Sequence, residues 1–224
     1  MKKLKGIIFD LDGVITDSAE YHYVAWKNLA NNLGIDIDRK FNEKLKGISR
    51  EDSLERILEY GKVLNDYSDD EKSRLAEQKN EEYLKLIKQM TADDLLPGIY
   101  NLLTDAKAKG IKLALASASK NGPFILERLG IEKLFDTIVD PSILSAGKPD
   151  PEIFIRAVQQ LDLSPEECIG IEDAEAGVKA INAANIFSIG VGSSDVLHEA
   201  NYCLTNTSKL KLDNILEQFE STMF

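Results

Sequence analysis

The hydrophobic and polar positions of the chain follow different periods in different stretches, and the changes divide the sequence into parts. Residues 7–9 are an apolar run without alternation, which predicts a short strand buried on both faces. Between residues 17 and 93, apolar positions recur three and four residues apart, as on the buried face of a helix. From residue 94 onward, short apolar runs alternate with helical patterns. The pattern therefore predicts a strand, a helical insert and a series of strand–helix units.

The helical insert contains three predicted helices. Ser18 is the expected N-cap of the first helix, and Gly34 ends it. The second helix follows residues 49–52, and the third spans about 69–90 and is rich in Glu and Lys. This part of the sequence predicts a helical bundle placed directly after the first strand.

The C-terminal part alternates between strand and helix. The predicted strands are 111–117, 135–139, 168–173, 187–192 and 202–205, and the predicted helices are 98–109, 122–130, 151–162 and 174–184. Such alternation is typical of a parallel sheet with right-handed crossovers and helices on both faces. The predicted fold class is α/β, with a discontinuous Rossmann-like core of residues 1–16 and 94–224. Residues 17–93 are predicted to form an all-helical cap domain.

Composition and charge narrow the classes of partner. The chain has 224 residues and a formal net charge of −11, which argues against nucleic acid and acidic membranes as partners. No apolar stretch approaches the roughly 18 residues of a membrane span, and the start of the chain does not resemble a signal peptide. Cys168 and Cys203 have no paired spacing, which favours reduced core thiols in a cytoplasmic protein. A monomer is the default expectation.

Two acids follow the first predicted strand. Asp10 and Asp12 lie on one side of an extended segment, because residues two apart point the same way. Carboxylates held this close repel each other unless a cation or a shared proton compensates. The alternative interpretation is a strand that ends in a solvated acidic turn.

Three further strand-end loops carry candidate chemistry. They are residues 117–122 after the second strand, residues 147–151 after the third, and Glu172 with Asp173 after the fourth. Ligands of open α/β sheets bind beyond the carboxyl ends of the strands, so these loops and Asp10 are expected to lie close together. Each loop also has an ordinary structural alternative: an N-cap region, a surface turn and the acidic start of a helix.

Together the loops have the composition of a phosphoryl-transfer site. The acidic oxygens suit Mg²⁺, while Ser117 and the N–H groups near Ala118, predicted at a helix N-terminus, suit a phosphate. Lys148 adds a positive charge that would neutralise phosphoryl oxygens. One carboxylate can attack phosphorus to form an aspartyl-phosphate, and a second, two residues on, can act as general acid and base.

Four motifs resemble those of the haloacid dehalogenase superfamily of phosphotransferases. They are FDLDG, SAS, GKPDP and IEDAEAG, in this order, and the resemblance covers the whole chain, with the insert matching the superfamily's small mobile cap. It implies that Asp10 is the nucleophile, Asp12 the acid/base, and Ser117 and Lys148 the groups that hold the phosphoryl group. The implied Mg²⁺ ligands are Asp10, the main chain of Asp12, Glu172 and Asp173. Because Asp12 is present, the dehalogenase branch is disfavoured.

Further segments resemble the β-phosphoglucomutase family, which interconverts β-glucose 1-phosphate and glucose 6-phosphate through β-glucose 1,6-bisphosphate. These segments are DGVITDSAEYHYVAW (12–26), LKGISREDSL (45–54), QKN (78–80) and ASASKNGP (116–123). The resemblance implies a Mg-dependent isomerase of carbohydrate metabolism. Ser18 stands where a Thr is expected in that family, and it keeps the hydroxyl.

A bisphosphate needs a second cationic site, and the insert supplies candidates for it. Arg50 can bind a phosphate bidentately, with Ser119 and Asn121 adding hydrogen bonds at the same end. His22 is predicted to orient Asp12 or relay its proton. The other residues predicted to bind substrate are Ser18, Trp26, Lys46, Gly47, Ala118 and Lys79. Each of four residues also has a purely structural interpretation. His22 would be a histidine packed at an interface, and Arg50 an exposed charge on a helix. Lys79 would lie on a solvated helix face, and Trp26 would pack in the core of the cap.

Two other functions remain open at this point. A sugar-phosphate phosphatase would share every core residue and would differ only in the group that accepts the phosphoryl group, so the segment around Arg50 discriminates. A non-catalytic sugar-phosphate-binding regulator is disfavoured, because a binder would not need Asp12.

Overall fold

The computed structural model describes residues 3–45 and 48–222, which form an α/β fold with a helical insert. The strands are β1 (Gly6–Phe9), β2 (Lys112–Leu115), β3 (Thr137–Ile138), β4 (Cys168–Glu172), β5 (Phe187–Val191) and β6 (Tyr202–Leu204). The helices of the insert are α1 (Ala19–Asn32), α2 (Arg39–Asn42), α3 (Arg50–Tyr60) and α4 (Asp69–Ile87). The remaining helices are α5 (Ile99–Ala108), α6 (Gly122–Arg128), α7 (Glu152–Gln160), α8 (Glu175–Ala183) and α9 (Leu212–Thr222).

The six strands form one parallel sheet in the order β3-β2-β1-β4-β5-β6. Strand β1 lies between β2 and β4, so that Phe9 is level with Leu115 on one side and Ile171 on the other. The chain order reverses direction at β1, and such a switch point opens a crevice beyond the carboxyl end of the strand. The sheet therefore directs the residues after β1, β2 and β4 to a common edge.

The predicted strands are all present, but several are shorter than expected. The stretch 135–139 contributes only Thr137 and Ile138 to the sheet, and 111–117 contributes only Lys112–Leu115. Helix α9 was not predicted, although Leu212, Ile215 and Phe219 are spaced three and four residues apart and are buried. Among the helices in the described part of the chain, none has the length and apolar composition that a membrane crossing requires.

The chain forms two compact units, residues 1–17 with 91–224 and residues 18–90. The predicted boundaries, 16/17 and 93/94, lie one and three residues from these. The first unit has a core in which side chains of the sheet pack against α7 and α8, with Ile8, Phe154 and Ile181 fully buried. This packing holds the strands whose ends carry the predicted site residues.

The second unit has its own apolar core within α1–α4. Trp26, Ile37 and Ile57 are buried at its centre, and the long helix α4 packs against α1 and α3. The N-terminus of α4 is closed by a capping box, in which Ser68 and Glu71 exchange hydrogen bonds.

The predicted N-cap of α1 is confirmed in position, but its side chain has another partner. Ser18 occupies the N-cap position of α1, but its side chain forms no capping bond there. Its Oγ instead accepts a hydrogen bond from the Tyr83 hydroxyl at 3.2 Å, and Ser18 is fully buried. The hydroxyl is therefore used to join α4 to the start of α1.

Candidate active site

Asp10 is fixed by the backbone of the sheet that precedes it. Its N–H donates to the Ile171 carbonyl on β4 at 3.0 Å, and the Ala116 N–H beside it donates to the Phe9 carbonyl at 2.8 Å. Parallel strands in register therefore bring Asp10, Ser117 and Glu172 to one edge, as the sequence predicts.

Lys148 joins two of these strand ends. Its Nζ donates to Asp10 Oδ1 and to Glu172 Oε1, both at 2.6 Å, and its side chain is only 4% exposed. The alternative interpretation of Lys148 as a surface-turn charge is therefore wrong. A cation held between two carboxylates at a sheet edge is positioned to neutralise an anion that replaces one of them.

For Asp10 and for Lys148, burial and the opposite charge of the partner shift the pKa in opposite directions. Burial raises the pKa of Asp10 well above its ordinary value, Lys148 opposes this, and the neighbouring carboxylates reinforce it. Burial alone would lower the pKa of Lys148, but the carboxylates of Asp10 and Glu172 outweigh it and raise that pKa above its ordinary value. Lys148 is therefore kept charged, and a further cation near Asp10 would stabilise the ionised form of the Asp10 carboxylate.

Three acids form a cluster that fits a hard cation. Carboxylate oxygens of Asp10, Glu172 and Asp173 all lie within 4.8 Å of one another. Glu172 is held in place because its Oε2 accepts from the N–H groups of Asp173 at 2.8 Å and Ala174 at 2.9 Å. An all-oxygen, acidic donor set is what Mg²⁺ takes from proteins. The Asp12 carboxylate is not part of this cluster, and the family resemblance assigns only its main chain to the metal.

Asp12 lies in a tight turn after β1. The turn uses Gly13 at φ +75°, whose N–H donates to the Thr16 carbonyl at 2.8 Å. The Thr16 hydroxyl donates to the Asp94 carbonyl at 2.7 Å, and the Leu96 N–H donates to the Ile15 carbonyl at 2.9 Å. Residues 18–90 are called the helical unit below. The segments that precede and follow this unit in sequence are thus hydrogen-bonded to each other next to Asp12.

The loop after β2 corrects one detail of the prediction. Helix α6 begins only at Gly122, so Ser117 and Ala118 lie in a loop and not at a helix N-terminus. The Ser119 N–H donates to Ser117 Oγ at 3.1 Å, and the Asn121 N–H donates to Ser119 Oγ at 3.3 Å. The serine hydroxyls therefore shape the loop. Ser117 is buried, while Ala118, Ser119 and Asn121 are half-buried.

In the helical unit, Lys79 lies inside the structure. It is 4% exposed, and its Nζ lies 2.7 Å from His22 Nδ1 and 4.7 Å from the ring centroids of Trp26 and Tyr83. The alternative of a solvated helix face for Lys79 is therefore wrong. Trp26 packs in the core of the helical unit, as its alternative interpretation held, and its ring also contacts the Lys79 ammonium group.

The same contact fixes the protonation of His22. An ammonium group can only donate, so Nδ1 is the acceptor and we assign the ring proton to Nε2. The ring stacks on Tyr83 with centroids 4.1 Å apart. Desolvation, with the charges of Lys79 and Arg50, lowers the pKa of His22 well below 6.5. The contribution of Tyr83 was not predicted, although its place one helical turn after Lys79 is a signal for it.

Arg50 begins helix α3 and is held by α4. Its Nη2 donates to Asn80 Oδ1 at 2.9 Å, and its Nη1 lies 3.4 Å from Glu77 Oε2. The side chain is 18% exposed, so the alternative of a free surface charge is wrong. Lys46 and Gly47, predicted to bind substrate, lie outside the described residues.

Comparisons with known proteins identify the family of this chain. The model of the haloacid dehalogenase-like hydrolase family matches residues 4–185. A β-phosphoglucomutase of Bacillus subtilis is 50% identical over 217 residues, which are 97% of this chain and 96% of that protein. The crystal structure of a β-phosphoglucomutase from Clostridium difficile has a TM-score of 0.96 and 51% identity, covering 98% of this chain and 99% of that one.

A relative with a different name is also similar in sequence over most of its length. A phosphorylated carbohydrates phosphatase of Thermotoga maritima is 30% identical over 185 residues, 82% of each chain. The chain therefore belongs to the haloacid dehalogenase-like hydrolase family, and the resemblance expected from its four motifs is confirmed.

Proposed function

We propose that this protein is an isomerase that interconverts β-D-glucose 1-phosphate and D-glucose 6-phosphate through an aspartyl-phosphate and β-glucose 1,6-bisphosphate. The observation that carries phosphoryl transfer is the Lys148 ammonium held 2.6 Å from both Asp10 and Glu172 at the sheet edge. The 50% identity to a β-phosphoglucomutase over 97% of the chain supports the choice of substrate.

The residues divide the chemistry between them. Asp12 takes the proton of the C6 hydroxyl of β-glucose 1-phosphate, and that oxygen attacks the phosphorus of the aspartyl-phosphate at Asp10; the bond from phosphorus to Asp10 breaks, which forms β-glucose 1,6-bisphosphate and frees the Asp10 carboxylate. After the bisphosphate turns end for end, Asp10 attacks the other phosphorus, the bond from that phosphorus to the C1 oxygen breaks, and Asp12 gives this oxygen the proton, which releases glucose 6-phosphate and restores the aspartyl-phosphate. Lys148 stabilises the charge on the transferring group.

Divalent metal is part of the proposal. Asp10, Glu172, Asp173 and the main chain of Asp12 would hold Mg²⁺, which would neutralise phosphoryl oxygens and suppress repulsion between the phosphate and these carboxylates. Lys148, which pairs with Asp10 and Glu172, offsets part of the negative charge of these acids.

The helical unit is proposed to hold the second phosphate of the bisphosphate. Arg50 is the candidate, because Asn80 fixes its guanidinium while the weaker contact with Glu77 is exchangeable for a phosphate. Lys79 is proposed to bind the substrate, and His22 to orient Asp12 or relay its proton; Ser18, Trp26, Lys46 and Gly47 remain predictions. Ser119 and Asn121 are proposed as neutral hydrogen-bonding groups for the same substrate.

Hydrolysis of a sugar phosphate is the second candidate, and the relative from Thermotoga maritima favours it. The discriminating experiment supplies β-glucose 1-phosphate, Mg²⁺ and a trace of β-glucose 1,6-bisphosphate, and measures glucose 6-phosphate and free phosphate together. We expect glucose 6-phosphate to dominate. A product that is mostly free phosphate would overturn the mutase assignment.

Replacing Arg50 tests the second phosphate site. Arg50→Ala should lower kcat/KM for β-glucose 1-phosphate about 10- to 100-fold, the range for losing a charged hydrogen bond, and leave hydrolysis of p-nitrophenyl phosphate nearly unchanged. Arg39→Ala is the matched control, because Arg39 also opens a helix of this unit and pairs with a glutamate, Glu20. Equal losses of both activities in Arg50→Ala would point to damage to the fold.

A further inference from the structure

We infer that Gly177 is a positioning residue for the metal-binding acids, and that Gly13 has the same role on their other side. Neither glycine touches substrate in this inference. Each leaves the space that one carboxylate needs, Gly177 for Glu172 and Gly13 for Asp173. The inference rests on the proposed divalent-metal site and extends it to the backbone that holds the ligands.

The contact at Gly177 is unusually close. Gly177 lies in the first turn of α8, and a Cβ added there would fall 1.9 Å from Glu172 Oε1 and 2.0 Å from its Cδ. Non-bonded atoms do not approach within such distances. The carboxyl group of Glu172 therefore lies directly against the Cα of Gly177, in space that any other residue would fill.

Glu172 cannot move aside without losing its partners. Its Oε1 accepts from Lys148 at 2.6 Å, its Oε2 accepts from the N–H groups of Asp173 and Ala174, and the residue is 2% exposed. A rotation that avoided a new methyl group would break these hydrogen bonds in a buried place. The added methyl group would therefore displace the Glu172 carboxylate, which is held by hydrogen bonds and cannot move away as the free end of a flexible side chain could.

Gly13 supports the second acid in a corresponding way. A Cβ on Gly13 would fall 2.1 Å from Asp173 Oδ2 and 2.4 Å from its Cγ, and its φ of +75° disfavours other residues. Two consecutive acids on one strand end are therefore each backed by a glycine from a different segment. The backbone at these two glycines therefore limits where the carboxylates of Glu172 and Asp173 can lie.

Gly177→Ala is the sharper test, because Gly177 has a helical backbone and alanine is the better helix former. Mg²⁺ binding to the substrate-free protein is measured by titration calorimetry, and Mn²⁺ binding by electron paramagnetic resonance. We expect at least a tenfold loss of affinity for both ions in Gly177→Ala, with an unchanged circular dichroism spectrum.

Gly61→Ala is the matched control. Its Cβ would fall 2.5 Å from Ile35 Cδ1 in the helical unit, where no metal-binding acid is proposed, so it should lower thermal stability and leave Mg²⁺ affinity unchanged. A Gly177→Ala protein that binds Mg²⁺ as tightly as the wild type would overturn the inference and leave the metal site standing. A wild type that binds neither ion would instead remove the proposed metal site.

A double variant separates positioning from a merely structural role. Glu172→Asp withdraws the carboxylate from Gly177, so adding Gly177→Ala to it should cause a much smaller further loss of affinity than Gly177→Ala causes alone. If Gly177→Ala alone does not fold, the double variant should fold, because the clash is with the longer carboxylate. A double variant that also fails to fold, or losses that simply add, would overturn the inference.

Discussion

His22 is a residue whose charge state is tied to the folded structure. Lys79 donates to its Nδ1, so protonating that nitrogen would break the bond and place two cations 2.7 Å apart. Burial, followed by the charges of Lys79 and Arg50, holds the pKa of His22 well below 6.5 in the folded state, while an unfolded chain has the ordinary value. The unfolded state binds the proton more readily, so stability falls as the pH drops below the unfolded value and levels off below the folded one.

The prediction is a pH-dependent difference between two proteins. Between pH 7.5 and 5.5, the free energy of unfolding of the wild type should fall faster than that of His22→Gln, by up to about 1.4 kcal/mol per pH unit. Urea denaturation at a series of pH values measures it. His198→Gln is the control, because His198 is the chain's other histidine and is exposed. Parallel curves for the wild type and His22→Gln would contradict the assignment.

Asp12 carries the proton transfers in the proposed mechanism. Asp12→Asn keeps the size and polarity of the side chain in its turn but removes its acid–base function, so turnover should fall about 100- to 10,000-fold in both directions. Coupled assays from either hexose phosphate measure the rates, and circular dichroism checks the fold. Asp105→Asn, on the exposed surface of α5, should keep the wild-type rate. Near-normal rates in Asp12→Asn would remove the role given to Asp12.

The sequence predicted which residues gather at the edge of the sheet, but it did not predict the surroundings of the candidate residues in the helices. Asp10 and Lys148 are 138 residues apart, and their proximity was predicted from the rule that strand ends share an edge and from the resemblance of the four motifs. The burial of Lys79 depends on His22 and Trp26 of another helix, 57 and 53 residues away. No local pattern encodes such a contact, because a lysine in a Glu- and Lys-rich helix has the same periodicity whether it is buried or solvated.

At the scale of elements, the packing of β4 against α8 controls the geometry of the site. Gly170 on β4 lies where a Cβ would fall 2.8 Å from Ile181 Cδ1 and Cγ1. Gly170→Ala should therefore lower the free energy of unfolding by about 1–3 kcal/mol, the cost of overpacking a core. Adding Ile181→Ala should make the effect of Gly170→Ala much smaller, measured as a double-mutant cycle in urea. Additive losses would show that the two residues do not compete for this space.

Element boundaries were harder to predict than element types for a physical reason. The apolar runs predicted every strand of the sheet, but β3 pairs only with β2 and keeps just two residues in the ladder. Strand length is set by neighbours that are distant in sequence. Helix α9 was missed because its short stripe, Leu212, Ile215 and Phe219, becomes recognisable only when the core that buries it is known.

Among the described residues, the unit that contains the sheet and the unit of residues 18–90 each have an apolar core of their own. The core of residues 18–90 is centred on residues such as Ile57, and the core beneath the sheet on residues such as Phe154, both fully buried. Because opening of a protein proceeds through cooperative parts, a defect in one core should be felt first within its own unit.

Two matched truncations test this independence. Ile57→Ala should lower the free energy of unfolding of residues 18–90 by about 2–5 kcal/mol. It should therefore speed amide hydrogen exchange across these residues, while the amides of β1, β2 and β4 keep their protection. Phe154→Ala should produce the reverse pattern, with faster exchange in the sheet and in α7 and α8. Hydrogen exchange followed by mass spectrometry resolves the two units. A uniform rise across the chain in either variant would mean that both cores unfold as one, and the helical unit could not then open without the sheet.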